Sequence, residues 1–434
     1  MRLTVVGGGI SGLAAAYRGR AGAILYERSP RLGGVIRTER REGYLMEAGP
    51  DSFLDKPPMR DLCRQLGIER QLIQVRREAR RSFILRGRRL LPIPEGVYLM
   101  APSALWPFLR SPAVSWPGKA RMLADLVMPP RSVADETLGS FVRRRLGGEA
   151  LERLAQPLLG GIYGADPDRL SLKATMPQFL EMERRHGSVI RGLLRRSERA
   201  SGARYGMFLT FRDGMQTLVD TLASRLDDVR LETRISSLAD AGGDAVCLAV
   251  PPPEAARLAP ELSVPAVSYS SVATINFGFQ RSQVRHPLDG AGFVVPAVEG
   301  RTVMACTFSS AKFEGRAPAG RVLLRAFAGG MLQPHVYSLP DTELISRCLA
   351  ELAELLGISG EPEEVWLNRW PDSMPQYEPG HLDRVAALER SLPPNLALAG
   401  NAYGGVGIPD CVASGFAAAD RLQRQDAGSS TSGA

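Results

Sequence analysis

Three glycines, Gly7, Gly9 and Gly12, close the apolar run RLTVVGGG and open a segment of good helix formers, SGLAAAYRGR. Such a turn can hold a pyrophosphate. Its backbone N–H groups approach the phosphates closely, and the N-terminus of the following helix favours their negative charge. Gly8, Ile10 and Ser11 complete the turn. Glu27 ends the next apolar run, AILYE, twenty residues after Gly7. A carboxylate there can accept hydrogen bonds from an adenosine ribose, and it disfavours a 2′-phosphate. The reading is therefore a dinucleotide site. Near the other end of the chain, GNAYGGVGIPDC (400–411) repeats the glycine richness. Glycine allows a backbone to lie against a flat aromatic ring.

Other chemistries find less support. The five cysteines, Cys63, Cys247, Cys306, Cys348 and Cys411, are scattered without a CxxC pair, which fits reduced thiols. His186, His286, His335 and His381 lie far apart, so no metal site is expected. The formal net charge of +8 is almost all arginine, the chain having only four lysines. It points to an anionic partner, and guanidinium groups suit carboxylates and phosphates. No apolar run reaches the roughly 20 residues of a membrane span, and no signal-peptide pattern follows Met1. The expectation is an intracellular, cytoplasmic protein.

The elements that must position these residues can be read coarsely. Strand, turn, helix and strand over 3–27 make the first unit of a parallel sheet. Residues 57–72 read as one helix with Met59, Leu62 and Leu66 on a face, and 81–94 as two short strands about Gly87. The pattern to about 200 is mostly helical, broken by prolines. RYGMFLTFRDGMQTLVDTLASRL reads as strand, turn and helix, and VRLETRISSLAD and DAVCLAVPP add strands in the style of the N-terminus. Alternating runs between 266 and 336 predict an antiparallel sheet. A helix at 341–357 and a strand entering the glycine turn at 400 follow, and the tail QDAGSSTSGA reads as disordered.

ERSPRLGGVIRT (27–38) and MEAGPDSF (46–53), taken with the N-terminal turn, resemble the FAD-dependent amine oxidase superfamily. The resemblance implies non-covalent FAD. It places Arg28, Gly34, Val35, Gly49, Pro50, Asp51, Ser52, Ile235, Trp370, Val406, Gly407 and Ile408 at the cofactor beside the N-terminal turn and Glu27. The C-terminal glycine segment would cross under the flavin ring, so one cofactor would join both ends of the chain. The implied fold is α/β. A discontinuous Rossmann-like FAD domain takes 1–75, 205–262 and 388–424. An α+β substrate domain with an antiparallel sheet takes 76–93 and 263–387, a helical lid or membrane-docking domain takes 94–204, and 425–434 form a tail. Glu27 follows Gly12 by only fifteen positions, so the first helix should be short.

Within that superfamily, GYLMEAGPDSFLDKPP, LLGGIYGADPDRLSLKATMPQF, TFRDGMQTLVDTL, RWPDSMPQYEPGHLDRV and GNAYGGVGIPDC resemble the porphyrinogen oxidases of haem synthesis, over residues 4–422. SFILRGRRLLPIPEGVYLMAPS and ACTFSSAKFEGRAPAGRVLLRAF look closer to the bacterial coproporphyrinogen III type than to the protoporphyrinogen IX type. Ser82 stands where mitochondrial and plastid protoporphyrinogen enzymes hold a propionate with arginine. The resemblance implies six-electron oxidation of a porphyrinogen by O2 in three cycles, with H2O2 released. Gly161 would offer a carbonyl near the reacting ring, and Val294, Thr307 and Phe327 would line the pocket. Arg80, Arg81 and Lys56 are candidates for the propionates, and no side chain is assigned as general base. Porphyrinogen and O2 are the expected partners and nucleic acid is not. Peripheral membrane contact through Trp106 and Trp116, and contact with haem-pathway enzymes, stay open. Protoporphyrinogen IX oxidation is the nearest alternative. A flavin amine oxidase and a non-catalytic flavin scaffold are more distant ones, and Cys411, where the amine oxidase reading would put a thioether to the flavin, is expected to be a free thiol.

Overall fold

A computed structural model describes residues 2–19, 22–94, 96–131, 134–197 and 208–431. The boundary expected at 204/205 lies outside these. Five short strands form an all-parallel sheet in the order Asp228–Arg230, Ile24–Tyr26, Leu3–Val6, Ala245–Leu248, Leu396–Leu398. The chain thus leaves this sheet after residue 26 and returns to it twice. Both faces are covered, as parallel sheets require. Leu3, Val5, Leu25 and Cys247 pack with Leu13, Ala14, Val412 and Ala419 on one side. Val6, Ile24, Tyr26 and Leu248 pack with Ala255, Leu258, Val385 and Leu388 on the other.

The helix after the first strand, Ile10–Gly19, is as short as the spacing requires. The closing helix, Ile408–Thr431, crosses it so closely that a Cβ on Gly415 would sit 2.2 Å from the Ser11 carbonyl oxygen. This contact brings the two glycine-rich ends of the chain together. The helix also runs through 425–431, where a disordered tail is expected. Extending a formed helix by one residue costs far less than nucleating one, so Gln425 and Ala427 continue it.

The second sheet has seven strands, in the order Glu364–Gln376, Ser268–Gln280, Arg321–Gly329, Val303–Thr307, Gly292–Val294, Phe83–Arg86, Arg89–Pro92. It is antiparallel except where Gly292–Val294 runs parallel to Phe83–Arg86. One face buries Phe277, Leu324, Cys306, Phe293 and Phe83 against the helix Asp341–Leu356, through Leu344, Cys348 and Leu352. The helical region contributes Leu105–Arg110, Trp116–Leu123, Leu138–Arg145, Gln156–Tyr163, Pro177–His186 and Val189–Ser197. Its buried tie is Arg145, which bonds Asp125 at 2.5 Å with both side chains inaccessible to solvent.

Two further local expectations are corrected, and one strand goes unforeseen. The helix expected over 57–72 stops at Gln65, because Gly67 turns into the left-handed region at φ +76°. Leu72–Gln74 is then free to pair as a strand with Phe208–Phe211. Of VRLETRISSLAD, only the start joins a strand, since Glu232 takes φ +52°. The thirteen-residue strand Glu364–Gln376 has no counterpart in the sequence reading, because Trp370-Pro371-Asp372 resembles a breaker.

Candidate cofactor and substrate site

The N-terminal turn is built on steric grounds. A Cβ on Gly12 would lie 1.9 Å from the Gly7 carbonyl oxygen, and one on Gly7 2.4 Å from that of Ala249. A Cβ on Gly9 would meet nothing within 4 Å. Gly7 and Gly12 are therefore glycines of tight packing, and Gly9 is the glycine of an open cradle. That shape fits a dinucleotide phosphate against the N-terminus of Ile10–Gly19. Glu27 receives the Gly8 N–H at 2.7 Å on one oxygen and the Ser29 N–H at 2.8 Å on the other. Each oxygen keeps a lone pair for a ribose hydroxyl. The doublet Gly33-Gly34 lies against the turn, with the Gly33 N–H on the Gly8 carbonyl (2.8 Å) and Gly34 beside Gly9. Arg31, which the sequence reading did not single out, donates to the carbonyls of Leu32, Gly34 and Ile36 and staples this loop. Arg28 is exposed, and Ile235 is buried beside Val6 and Tyr26.

The register of the seven-stranded sheet sorts the remaining candidates. Val294 stands opposite Ala305, Ala305 opposite Phe327, and Phe327 opposite Thr274. Thr307 stands opposite Arg325, Arg325 opposite Asn276, and Val272 opposite Trp370. Directly opposed residues share a face and alternate residues return to it. Val294, Thr307, Phe327 and Trp370 thus all occupy the face turned away from the Phe277 core. Gly161, on the helix Gln156–Tyr163, approaches this face at Val294, where a Cβ on it would come within 3.9 Å of Val294 Cγ1. A π-helical stretch, Leu151–Ala155, precedes that helix, and the Gln376 side-chain amide holds its end through the Tyr163 carbonyl at 3.1 Å.

The same face grips the MEAGPDSF segment. The Glu47 carbonyl accepts from Asn276 Nδ2 (3.1 Å). The Ala48 carbonyl accepts from Thr274 Oγ1 (2.6 Å) and Trp370 Nε1 (2.9 Å). The Gly49 carbonyl accepts from Arg325 (2.7 Å). Gly49 in turn touches Val35, whose carbonyl oxygen would lie 2.0 Å from a Gly49 Cβ. Asp51 follows Pro50 and accepts from Ser52 Oγ at 2.7 Å. It pairs with Lys312 at 3.0 Å and Arg325 at 3.4 Å. Burial alone would raise the Asp51 carboxyl, but the two cations hold it well below the usual range. Lys312 and Arg325 both lie in ACTFSSAKFEGRAPAGRVLLRAF, a segment that carries the resemblance, yet neither is assigned a role there, because only the fold brings them to Asp51.

The propionate candidates separate. Arg80 and Arg81 face solvent, with Arg81 3.8 Å from Asp289. Ser82 precedes the Phe83–Arg86 strand, and its carbonyl receives the Ile93 N–H at 2.8 Å. Lys56 bonds Asp410 at 2.5 Å. Asp410 lies in the first turn of the closing helix, next to Val406, Gly407 and Ile408. Cys411 is buried there, and burial pushes its thiol up to about 11. It is therefore a protonated, weak nucleophile. Trp106 and Trp116 are 63% and 69% exposed, with Arg110 and Lys119 over their rings.

A family model for flavin-containing amine oxidoreductases matches residues 10–423. The chain belongs to that family. It is an FAD-dependent oxidoreductase, and the cradle described above fits the cofactor. The chain is 36% identical to a coproporphyrinogen III oxidase of Bacillus subtilis (strain 168), over 96% of each chain. It is 34% identical to one of Propionibacterium freudenreichii subsp. freudenreichii, over 97% of this chain and 90% of that protein. A solved structure from Exiguobacterium sp. 255-15, provisionally named protoporphyrinogen oxidase, superposes with a TM-score of 0.88 at 33% identity, over 98% of this chain and 99% of that one. No helix among the described residues of this flavoenzyme is long and apolar enough to cross a membrane.

Proposed function

We propose that this flavoenzyme oxidises coproporphyrinogen III to coproporphyrin III in three two-electron cycles, each passing its electrons to O2 and releasing one H2O2. The observation that carries the reading is the 36% identity to the Bacillus subtilis enzyme over 96% of both chains. The geometry supports it. A sheet face bearing Val294, Thr307 and Phe327, approached at Val294 by the Gly161 helix, offers apolar and aromatic area to a macrocycle, and Trp370, expected at the cofactor, lies on the same face.

FAD, when bound, supplies the two-electron acceptor. This chain's residues bind and orient. Gly7–Gly12 and Glu27 would hold the pyrophosphate and ribose, and Gly49–Ser52 and Val406–Ile408 would meet the isoalloxazine. Phe327 and Val294 would fix the macrocycle plane, leaving the Gly161 carbonyl near the reacting ring. A buried, protonated Cys411 thiol is a poor nucleophile for a link to the flavin, so the cofactor would be held without a covalent bond. Catalysis of this kind rests chiefly on positioning.

The test compares coproporphyrinogen III with protoporphyrinogen IX, both prepared without oxygen and followed under air by porphyrin fluorescence and peroxide yield. The four-propionate substrate is expected to win several-fold in kcat/KM, since exposed guanidinium–propionate pairs contribute up to about 1 kcal/mol each. Equal or better use of protoporphyrinogen IX overturns the substrate assignment. Oxidation of neither overturns the whole reading.

A further inference from the structure

Arg325 is only 4% exposed, yet its guanidinium is shared among four groups, the most distant hydrogen-bond partner being the Glu47 carbonyl at 3.5 Å. It donates to the Gly49 carbonyl at 2.7 Å. It lies 3.4 Å from Asp51, which is also held by Lys312. Its central carbon sits 4.7 Å from the centre of the Phe327 ring, two residues along the same strand face. Gly49 and Asp51 belong to the segment assigned to the cofactor, and Phe327 to the wall assigned to the substrate. Thr274 also spans the two, bonding the Ala48 carbonyl and standing opposite Phe327 in the sheet, but of these side chains Arg325 is the one that also brings charge to Asp51.

We infer that Arg325 is the positioning residue that keeps the substrate wall and the cofactor segment in register. The inference rests on the proposed function for its substrate half and on the family's flavin for its cofactor half. The guanidinium suits both duties at once, because its edge carries the hydrogen-bond donors and its flat face stacks on a ring. Lysine could keep the charge and the bond to Gly49 or Asp51, but it has no flat face. Methionine would keep the length and lose everything else, leaving Asp51 with Lys312 and the Ser52 hydroxyl.

The two halves can be read separately. On dilution of the holoenzyme, followed by flavin fluorescence, Arg325→Met is expected to release FAD about tenfold more readily, and Arg325→Lys to stay within about threefold of the parent. In turnover, Arg325→Lys is expected to raise the porphyrinogen KM about fivefold with a smaller change in kcat, matching Phe327→Leu. The double variant should be no worse than either single one, since both remove one stacked contact. FAD held as tightly in Arg325→Met as in the parent, or effects that multiply in the double variant, overturns the inference. If Arg325→Met does not fold, the Lys and Leu variants carry the test alone. If the parent oxidises neither porphyrinogen, the substrate reading fails and the FAD dilution by itself decides whether Arg325 holds the segment.

Discussion

Glu47 is 4% exposed, and burial pushes its carboxyl up to about 7, against the pull of the Met215 N–H, the Thr38 hydroxyl, Arg316 and Arg325. Between its unfolded value of 4.5 and about 7 the folded chain therefore holds a proton that the unfolded chain has lost. Stability from this group is complete below that window and is lost as pH rises through it. Glu47→Gln removes the proton linkage while keeping an acceptor for Met215. Its stability relative to the parent, read from urea midpoints, should improve from pH 5 to 8 by up to about 3 kcal/mol. Parallel curves would show that Glu47 ionises normally. Glu47 also marks where sequence reading stops at this scale. Its neighbours Gly49, Pro50, Asp51 and Ser52 carry a recognisable motif, but the partners of residues 47–52 are Thr274 and Asn276 on one strand, Arg325 on another and Lys312 at the end of the short helix Ser309–Lys312, all more than 200 residues away. Pairing register brings the strand residues to one face, and the helix adds Lys312.

At the scale of elements, the contact between Ile10–Gly19 and Ile408–Thr431 decides whether the two glycine segments meet. Gly415 stands 2.2 Å, by its absent Cβ, from the Ser11 carbonyl, whereas a Cβ on Gly148, exposed in the helical region away from both glycine segments, would meet nothing within 4 Å. Gly415→Ala should force the helices apart, costing about 1–3 kcal/mol in urea unfolding and loosening FAD, while Gly148→Ala serves as a near-neutral control. Equal behaviour of the two would show that the crossing tolerates bulk. The strands and helices with clear periodicity were legible, including Phe83–Arg86 and Arg89–Pro92 about Gly87 and the helix Asp341–Leu356. Glu364–Gln376 was not, because a proline within a strand is readable only once its place at the sheet edge is known. The end of the Pro57–Gln65 helix was missed for a different reason. Gly67 acts as a stop only through its left-handed φ, and the apolar spacing runs on past it.

For the whole molecule, the formal charge of +8 acts on any polycarboxylate substrate before contact. The seven arginines of 76–89 spread over the surface, with Arg88 on Glu354 and Arg86 on the Pro112 carbonyl, so they contribute a field more than a binding site. Screening shortens from about 10 Å at 0.1 M salt to about 3 Å at 1 M. Across that range the KM for coproporphyrinogen III should rise several-fold while kcat changes little. A KM independent of salt would mean that the propionates are held by buried contacts alone. The parallel sheet adds a consequence in time. Its first strand, Leu3–Val6, is translated long before its edge strand Leu396–Leu398 and the helix that clamps Ser11. Until residue 396 is made, the pyrophosphate turn stands without the segment expected to lie under the flavin ring. Cofactor loading would then wait for that segment, and a ribosome stalled before residue 396 would hold a protein not yet able to close on its flavin.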